Sequence, residues 1–321
     1  MGRAHIKYEQ KFDGLRAFQP IRLEPSALTL DVMIYGGARN GLRPVIMFNS
    51  LEFPMPPSVE FCESLKAAGY QVIFVRRPGF GNSTPLPDAV FNPNAIKQGI
   101  ATITEAAILN RLIDYLGLDD TVLIGLSTAN ATAYRLTHLS RRISFSMFAA
   151  PIIQQNILEV FRPDWFQAML RQILTSRSGV SAATMGFKFQ LRRNPLSFYQ
   201  QFMRKSAGDL AYLRNNSSDA EAAGLSLQSA STMSVLHDIS VTLMPDGVIS
   251  DRYFEGSNSV LLSGSETMQD WQSALHSEAD RLGLPVEYAP RGDWFVVQSC
   301  PDEIVAIIEK YSSRASMRRS L

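Results

Sequence analysis

Cysteine, histidine and excess charge are all scarce in this sequence. Of its 321 residues only two are cysteines, Cys62 and Cys300, and four are histidines. Two cysteines so far apart match neither a metal-binding pattern nor a disulfide framework, so we expect reduced thiols, no bound metal and a cytoplasmic protein. The 31 Lys and Arg residues nearly cancel the 30 Asp and Glu residues. That balance provides no overall positive field, so we expect no nucleic-acid partner.

Long apolar runs are also missing. Charged or polar residues interrupt every segment that approaches the length of a membrane-spanning helix, so we expect no membrane span. The first twenty residues have no apolar core, so we expect no signal peptide. Apolar residues still form 45% of the chain, which is enough to bury a sizeable core.

Short apolar segments alternate with segments of helical periodicity along most of the chain. The predicted strands lie at residues 28–35, 44–48, 71–75, 121–124, 143–149, 259–262 and 286–289. The predicted helices lie at residues 57–68, 102–116, 128–139, 270–282 and 301–311. Apolar strands alternating with helices predict an α/β protein with a mostly parallel sheet covered by helices on both faces.

The alternation stops between residues 152 and 255. This segment is rich in Phe, Leu, Met and Arg at helical spacing and contains no convincing strand. We therefore predict a core formed by residues 1–151 and 256–321, and a helical cap or lid formed by residues 152–255.

Ser127 lies where a predicted strand passes sharply into a predicted helix, within the sequence GLSTA at 125–129. Such a nucleophile elbow is so tight that only small side chains fit two residues before and after the serine. The serine hydroxyl then stands at the carboxyl edge of the sheet, where the following helix and the N–H of Thr128 stabilise a developing oxyanion. The alternative interpretation is an ordinary turn with a serine N-cap.

A second motif follows the strand at 71–75. Residues 76–83 read RRPGFGNS and are similar to the D-x-P-G-x-G-x-S loop of the α/β-hydrolase superfamily. With the elbow, this motif makes residues 28–312 resemble that superfamily, with the helical insertion in the place of its cap, after strand six. The resemblance implies Ser127 as the nucleophile of an esterase, thioesterase or lactonase-like enzyme. No motif for a phosphate, a dinucleotide or a metal is present, so we predict no cofactor.

The loop after the strand at 44–48 reads NSLE, where the family usually has His-Gly. Since the second oxyanion donor is a main-chain N–H, we expect it to come from Ser50 or Leu51.

The position of the family's catalytic histidine is altered. The segment 290–298 resembles the family's G-x-H-F loop, but either Asp293 or Trp294 stands at the histidine position, depending on a shift of one residue. Tryptophan cannot accept a proton, and an ordinary carboxylate is a weak base for an alcohol. We therefore consider Asp293 a candidate base and Trp294 a candidate substrate contact.

The position of the catalytic acid is altered too. The family expects G-x-x-D from Gly264 onward, and here the acid would shift to Glu266 or Asp270. Among the histidines (His5, His138, His237 and His276), His237 is the one that the insertion could bring over the pocket. We therefore predict an incomplete triad.

Three functions remain open on these residues. The first is weak or atypical hydrolysis of a small apolar or acyl-type carbonyl compound. The second is a catalytically inactive protein that binds or regulates through the same pocket. The third is a cofactor-free lyase or isomerase that uses the oxyanion site with Asp293 as base. Six aromatic residues favour an apolar cavity for a small molecule: Phe53, Trp165, Phe166, Phe198, Tyr199 and Phe202.

Overall fold

The protein is built on an eight-stranded sheet with the strand order β1-β2-β4-β3-β5-β6-β7-β8. The computed structural model describes residues 14–37, 41–92, 94–95, 98–151, 164–174, 177–230, 233, 235, 238 and 249–319. The strands are β1 (Phe18–Leu23), β2 (Leu28–Ile34), β3 (Arg43–Phe48), β4 (Tyr70–Val75), β5 (Thr121–Leu126), β6 (Ile143–Ala149), β7 (Ser259–Gly264) and β8 (Val286–Ala289).

The sheet is mostly parallel, as the apolar segments predict. Strands β3 to β8 pair in parallel, whereas β1 pairs antiparallel with β2 and β2 pairs antiparallel with β4. Strand β1 was not predicted. Its residues are largely exposed or half-buried and include Pro20, so it lacks the apolar pattern of the inner strands.

Helices cover both faces of the sheet, which confirms the predicted α/β class. The described helices of the body are α1 (Val59–Ala67), α2 (Ile100–Tyr115), α3 (Asn130–Leu139), α9 (Gln269–Leu282), α10 (Val296–Ser299) and α11 (Pro301–Arg319). Successive side chains of β3 point to opposite faces: Ile46 packs in the core beneath α2 and α3, and Met47 packs in the core beneath α1 and α11.

A helical insertion follows β6, again as predicted. Its described helices are α4 (Asp164–Leu174), α5 (Arg177–Arg193), α6 (Pro195–Phe202), α7 (Ala207–Asn215) and α8 (Ser217–Ser229). Helices α5 to α8 share an apolar cluster with Phe53 and Phe295 of the body. The Phe53 ring lies 5.3 Å from Tyr199 and 4.7 Å from Phe295, both edge-to-face, so this ring joins the cap to the sheet.

No helix in the described ranges is both long and apolar enough to cross a membrane.

Gly264, at the end of β7, provides a test of how tightly the loop after β8 packs. A Cβ atom there would collide with the backbone carbonyl of Gly292. We expect Gly264→Ala to lower the free energy of unfolding by about 3 kcal/mol, measured by guanidinium denaturation. The control is Gly186→Ala in α5, where a Cβ meets open space and the helix should gain up to about 1 kcal/mol. Equal effects of the two variants would contradict the close approach.

Candidate active site

Ser127 occupies a strained turn between β5 and α3. Its φ is 44°, in the left-handed region that residues other than glycine rarely adopt. The turn leaves no room at Gly125, where a Cβ would collide with the Asn130 side chain and lie 2.8 Å from the Ala133 Cβ. Asn130 is held there because its Nδ2 donates to the carbonyl of Ala149 at 3.0 Å. The local geometry is therefore that of a nucleophile elbow.

The Ser127 hydroxyl is buried without a partner. The residue is 5% exposed, and its Oγ makes no hydrogen bond within the described part of the chain. A buried polar group without a hydrogen bond costs free energy, and backbone strain adds to that cost. Both costs are features of functional sites, and here they fall on the residue that the elbow motif singles out.

The loop after β3 closes one side of the elbow through Thr128. The N–H of Leu51 donates to Thr128 Oγ1 at 2.9 Å, so this predicted oxyanion donor is already engaged. Ser50 is buried, and its Oγ accepts from the N–H of Phe53 at 3.2 Å. The N–H groups of Ser50 and Thr128 are therefore the pair that remains as the candidate oxyanion hole.

Glu52, which the motif analysis did not single out, lies against the elbow. Thr128 Oγ1 donates to Glu52 Oε2 at 3.2 Å. Burial raises the pKa of Glu52 to about 7, and the charge of Asp238 adds to this rise, while hydrogen bonds from Ser50 and Thr128 oppose it. In the sequence, Glu52 could have been noticed because it is a charged residue between two apolar ones, Leu51 and Phe53.

A buried ion network adjoins Glu52. The Arg77 guanidinium is 1% exposed; it donates to both carboxylate oxygens of Asp238 and to the carbonyl of Asn49. Its Nη1 also lies 3.6 Å from Glu105. Asp238 falls within the predicted insertion, and this pair holds its carboxylate close enough for its charge to act on Glu52. His237 lies outside the described residues, and its role as base stays a prediction.

Asp293 faces the position where the family has its catalytic acid. The fourth residue of the expected G-x-x-D pattern is Thr267, and Thr267 Oγ1 donates to Asp293 Oδ1 at 2.8 Å. Burial raises the pKa of Asp293 to about 6, with the charges of Asp209 and Glu266 adding to the effect and the Thr267 bond opposing it. Trp294 is half-buried and contacts the ring of Phe202 at 5.1 Å. This geometry favours Asp293 over Trp294 at the histidine position.

Glu266 binds the cap. Its Oε2 accepts from Ser206 Oγ at 2.6 Å and from the N–H of Gly208 at 2.8 Å, at the start of α7. Burial opposes ionisation of Glu266, but these hydrogen bonds outweigh it and lower the pKa. Asp270, the other candidate acid, is exposed at the start of α9.

Asp209 of α7, which no sequence motif marks, completes this contact from the cap side. The fully buried carboxylate accepts three backbone N–H groups, from Asp293 (3.1 Å), Trp294 (2.8 Å) and Phe295 (3.1 Å). These N–H groups precede α10, so a buried anion occupies the start of that helix. We call the paired contacts of Asp209 and Glu266 the cap clasp.

A small cleft opens at the carboxyl ends of β6 and β7. It encloses about 310 Å³ of empty space, including its opening to solvent. Its described lining consists of Ala150, Pro151, Ser263, Thr267, Trp271, Leu275, Asp293 and Trp294. Ser127 is not part of that described lining, so the cleft adjoins the Asp293 side of the site.

The six aromatic residues that suggested an apolar cavity are not among this cleft's described lining. Phe53 and Tyr199 are buried between cap and body, whereas Trp165 and Phe202 are 68% and 52% exposed. Phe166 and Phe198 are half-buried. The described histidines lie in other contacts: His138 packs on Tyr253, and His276 pairs with the hydroxyl of Tyr288 at 2.7 Å.

Comparison with known proteins finds a family match over most of the chain. Residues 41–307 match the family model described as the alpha/beta hydrolase family. No curated protein matches the chain.

Three solved structures illustrate the shared fold. A bromoperoxidase from Bacillus anthracis has a TM-score of 0.58 and 17% identity, over 92% of this chain and 99% of that chain. An esterase from Exiguobacterium antarcticum has a TM-score of 0.52 and 13% identity, over 92% and 99%. A haloalkane dehalogenase variant from Bradyrhizobium elkanii has a TM-score of 0.53 and 13% identity, over 95% and 98%. At these identities the likeness is one of fold.

The cap clasp predicts a large effect of Asp209→Asn. An amide has one accepting oxygen instead of two and directs an NH₂ group at backbone donors, so we expect the free energy of unfolding to fall by about 2–3 kcal/mol. Hydrogen exchange at the amides of 293–295 should also accelerate. The control, Asp280→Asn on the exposed side of α9, should stay within about 0.5 kcal/mol of wild type. Unchanged exchange at 293–295 would contradict the clasp.

Proposed function

Because the chain belongs to the alpha/beta hydrolase family, we propose that it catalyses weak, atypical hydrolysis of a small apolar carbonyl compound such as an ester, thioester or lactone. The observation that carries this proposal is Ser127, strained at φ 44° with a buried hydroxyl that lacks a partner within the described residues. In the proposed reaction Ser127 Oγ bonds to the carbonyl carbon. The N–H groups of Thr128 and Ser50 bind the oxyanion, and water then releases the acyl group.

The expected rate is low because the usual base and acid are both replaced. Asp293 and Thr267 hydrogen-bond to each other, and neither is an imidazole or its carboxylate partner. The Ser-His-Asp arrangement derives its speed from an imidazole that accepts and returns the serine proton. Without it, catalysis relies on the elbow, the oxyanion donors and a different proton acceptor.

A second candidate function is binding without turnover. Two observations favour it: Leu51 N–H is engaged by Thr128, and Asp209 holds the loop 293–295 by three hydrogen bonds. The first contact occupies one of the predicted oxyanion donors, and the second fixes the loop that carries Asp293.

Labelling with a fluorophosphonate probe, followed by intact mass, distinguishes the two functions. Under the hydrolase proposal we expect a single adduct on the wild type and none on Ser127→Ala. The same variant should lose the turnover of short p-nitrophenyl esters. A folded wild type without adduct or turnover would contradict hydrolysis, and stabilisation by an unconsumed carbonyl ligand would then support binding.

Introducing a histidine at the base position and an aspartate at the acid position should increase the hydrolytic activity. In Asp293→His combined with Thr267→Asp, an imidazole and a carboxylate stand where the hydroxyl and carboxylate are now bonded, so we expect p-nitrophenyl acetate hydrolysis to rise at least about tenfold. The comparison variant, Trp294→His, should gain less because Trp294 does not make this bond. The gain must vanish when Ser127→Ala is added. If no variant gains activity, the defect extends to the oxyanion loop.

A further inference from the structure

We propose that Glu52 is the general base that takes the proton from Ser127, in place of the family's histidine. This inference rests on the proposed hydrolysis and names the group that makes it possible. Two observations support it. The buried hydroxyl of Ser127 has no hydrogen-bond partner among the described residues. The carboxylate of Glu52 accepts a hydrogen bond from Thr128, the residue that follows Ser127.

Three hydrogen bonds hold Glu52 at the elbow. Its carboxylate accepts from Thr128 Oγ1 at 3.2 Å, and the N–H of the preceding residue, Leu51, donates to the same hydroxyl at 2.9 Å. From the cap, Tyr199 donates its hydroxyl to the main-chain carbonyl of Glu52 at 2.9 Å. The loop, the elbow and the cap therefore hold the Glu52 carboxylate against the side chain of Thr128, the residue that follows Ser127. Ser127 Oγ makes no hydrogen bond among the described residues, so in the proposed step its proton reaches Glu52 through one water molecule or once substrate binding brings the two groups together.

The charges around Glu52 suit a base at neutral pH. Asp238 of the inserted segment opposes its ionisation, and Arg77 behind Asp238 supports it while also pairing with Glu105 of α2. Burial is the largest effect, and the resulting pKa is about 7. A carboxylate with that pKa is about half ionised at pH 7 and accepts a proton about as readily as imidazole does.

Asp293 is less suited to this role. Its Oδ1 is engaged by Thr267, and its backbone N–H is bound by Asp209 of the cap. It also lines the cleft at the ends of β6 and β7, whose described lining does not include Ser127.

The proton balance is complete with Glu52 alone. As Ser127 Oγ bonds to the carbonyl carbon, its proton moves to the Glu52 carboxylate. The Glu52 carboxyl then gives that proton to the leaving oxygen or sulfur as the tetrahedral intermediate collapses. In the second half, water attacks the acyl-enzyme and gives a proton to Glu52, which returns it to Ser127 Oγ as the acid product leaves.

The test compares Glu52→Gln with wild type in the rate of fluorophosphonate labelling between pH 5 and 9. The ionised carboxylate is the active form, so the wild-type rate should rise with pH, reach half its maximum near pH 7 and then level off. Glu52→Gln should lose at least tenfold in rate and lose this rise. Gln keeps the shape and can still accept from Thr128, and it removes a buried charge, so its unfolding temperature at pH 8 should equal or exceed that of wild type.

Matched variants make the result specific. Glu255→Gln changes an exposed carboxylate, one paired with Arg252, to an amide and should label as wild type does. Glu52→Ala should regain rate when formate is added, because a small carboxylate fills the space and supplies the base; this variant also serves if Glu52→Gln does not fold.

Three outcomes would overturn the assignment in different ways. If wild type labels at Ser127 but Glu52→Gln labels equally fast with the same pH profile, Glu52 is not the base and the hydrolase proposal stands. Loss of labelling in His237→Gln with Glu52→Gln unaffected would assign the base to His237 instead. An unreactive Ser127 in folded wild type would overturn the hydrolase proposal and Glu52 with it.

Discussion

The cap clasp joins the inserted helices to the loop after β8. Asp209 accepts three backbone N–H groups of that loop, and Glu266 accepts two donors from the start of α7. A buried carboxylate is stable only when hydrogen bonds replace its lost water, so neither partner of the clasp can leave without cost. The contact joins the cap to the loop that carries Asp293, and Asp293 in turn bonds to Thr267 and lines the nearby cleft.

A second polar contact links the insertion to the elbow side of the site. Arg77 binds Asp238, and the negative charge of Asp238 acts on Glu52, which bonds to Thr128. The ionisation of Glu52 therefore depends on the charge of Asp238.

The sheet was predictable because each inner strand is apolar on both faces. The ends of strands β3 to β8 agree with the predicted ends to within one or two residues. Strand β1 was not predicted because a half-buried edge strand lacks the apolar pattern of the inner strands. Ser127 was recognisable from local sequence, since a tight turn restricts the residues around it. The roles of Ser127, Glu266 and Asp293 in catalysis stay predictions, and the structure adds that Glu266, in the loop after β7, accepts hydrogen bonds from the start of α7.

The sequence by itself determined the α/β architecture, the elbow and the absence of histidine from the loop at 290–298, because these follow from short-range patterns. Only the tertiary structure decided what surrounds the elbow. Asp209 and Glu52 resemble ordinary surface acids in the sequence, and long-range packing alone buries Asp209 against the loop at 293–295 and half-buries Glu52 against Thr128. Burial and neighbouring charge set the proton affinity of a carboxylate, and both come from residues distant along the chain.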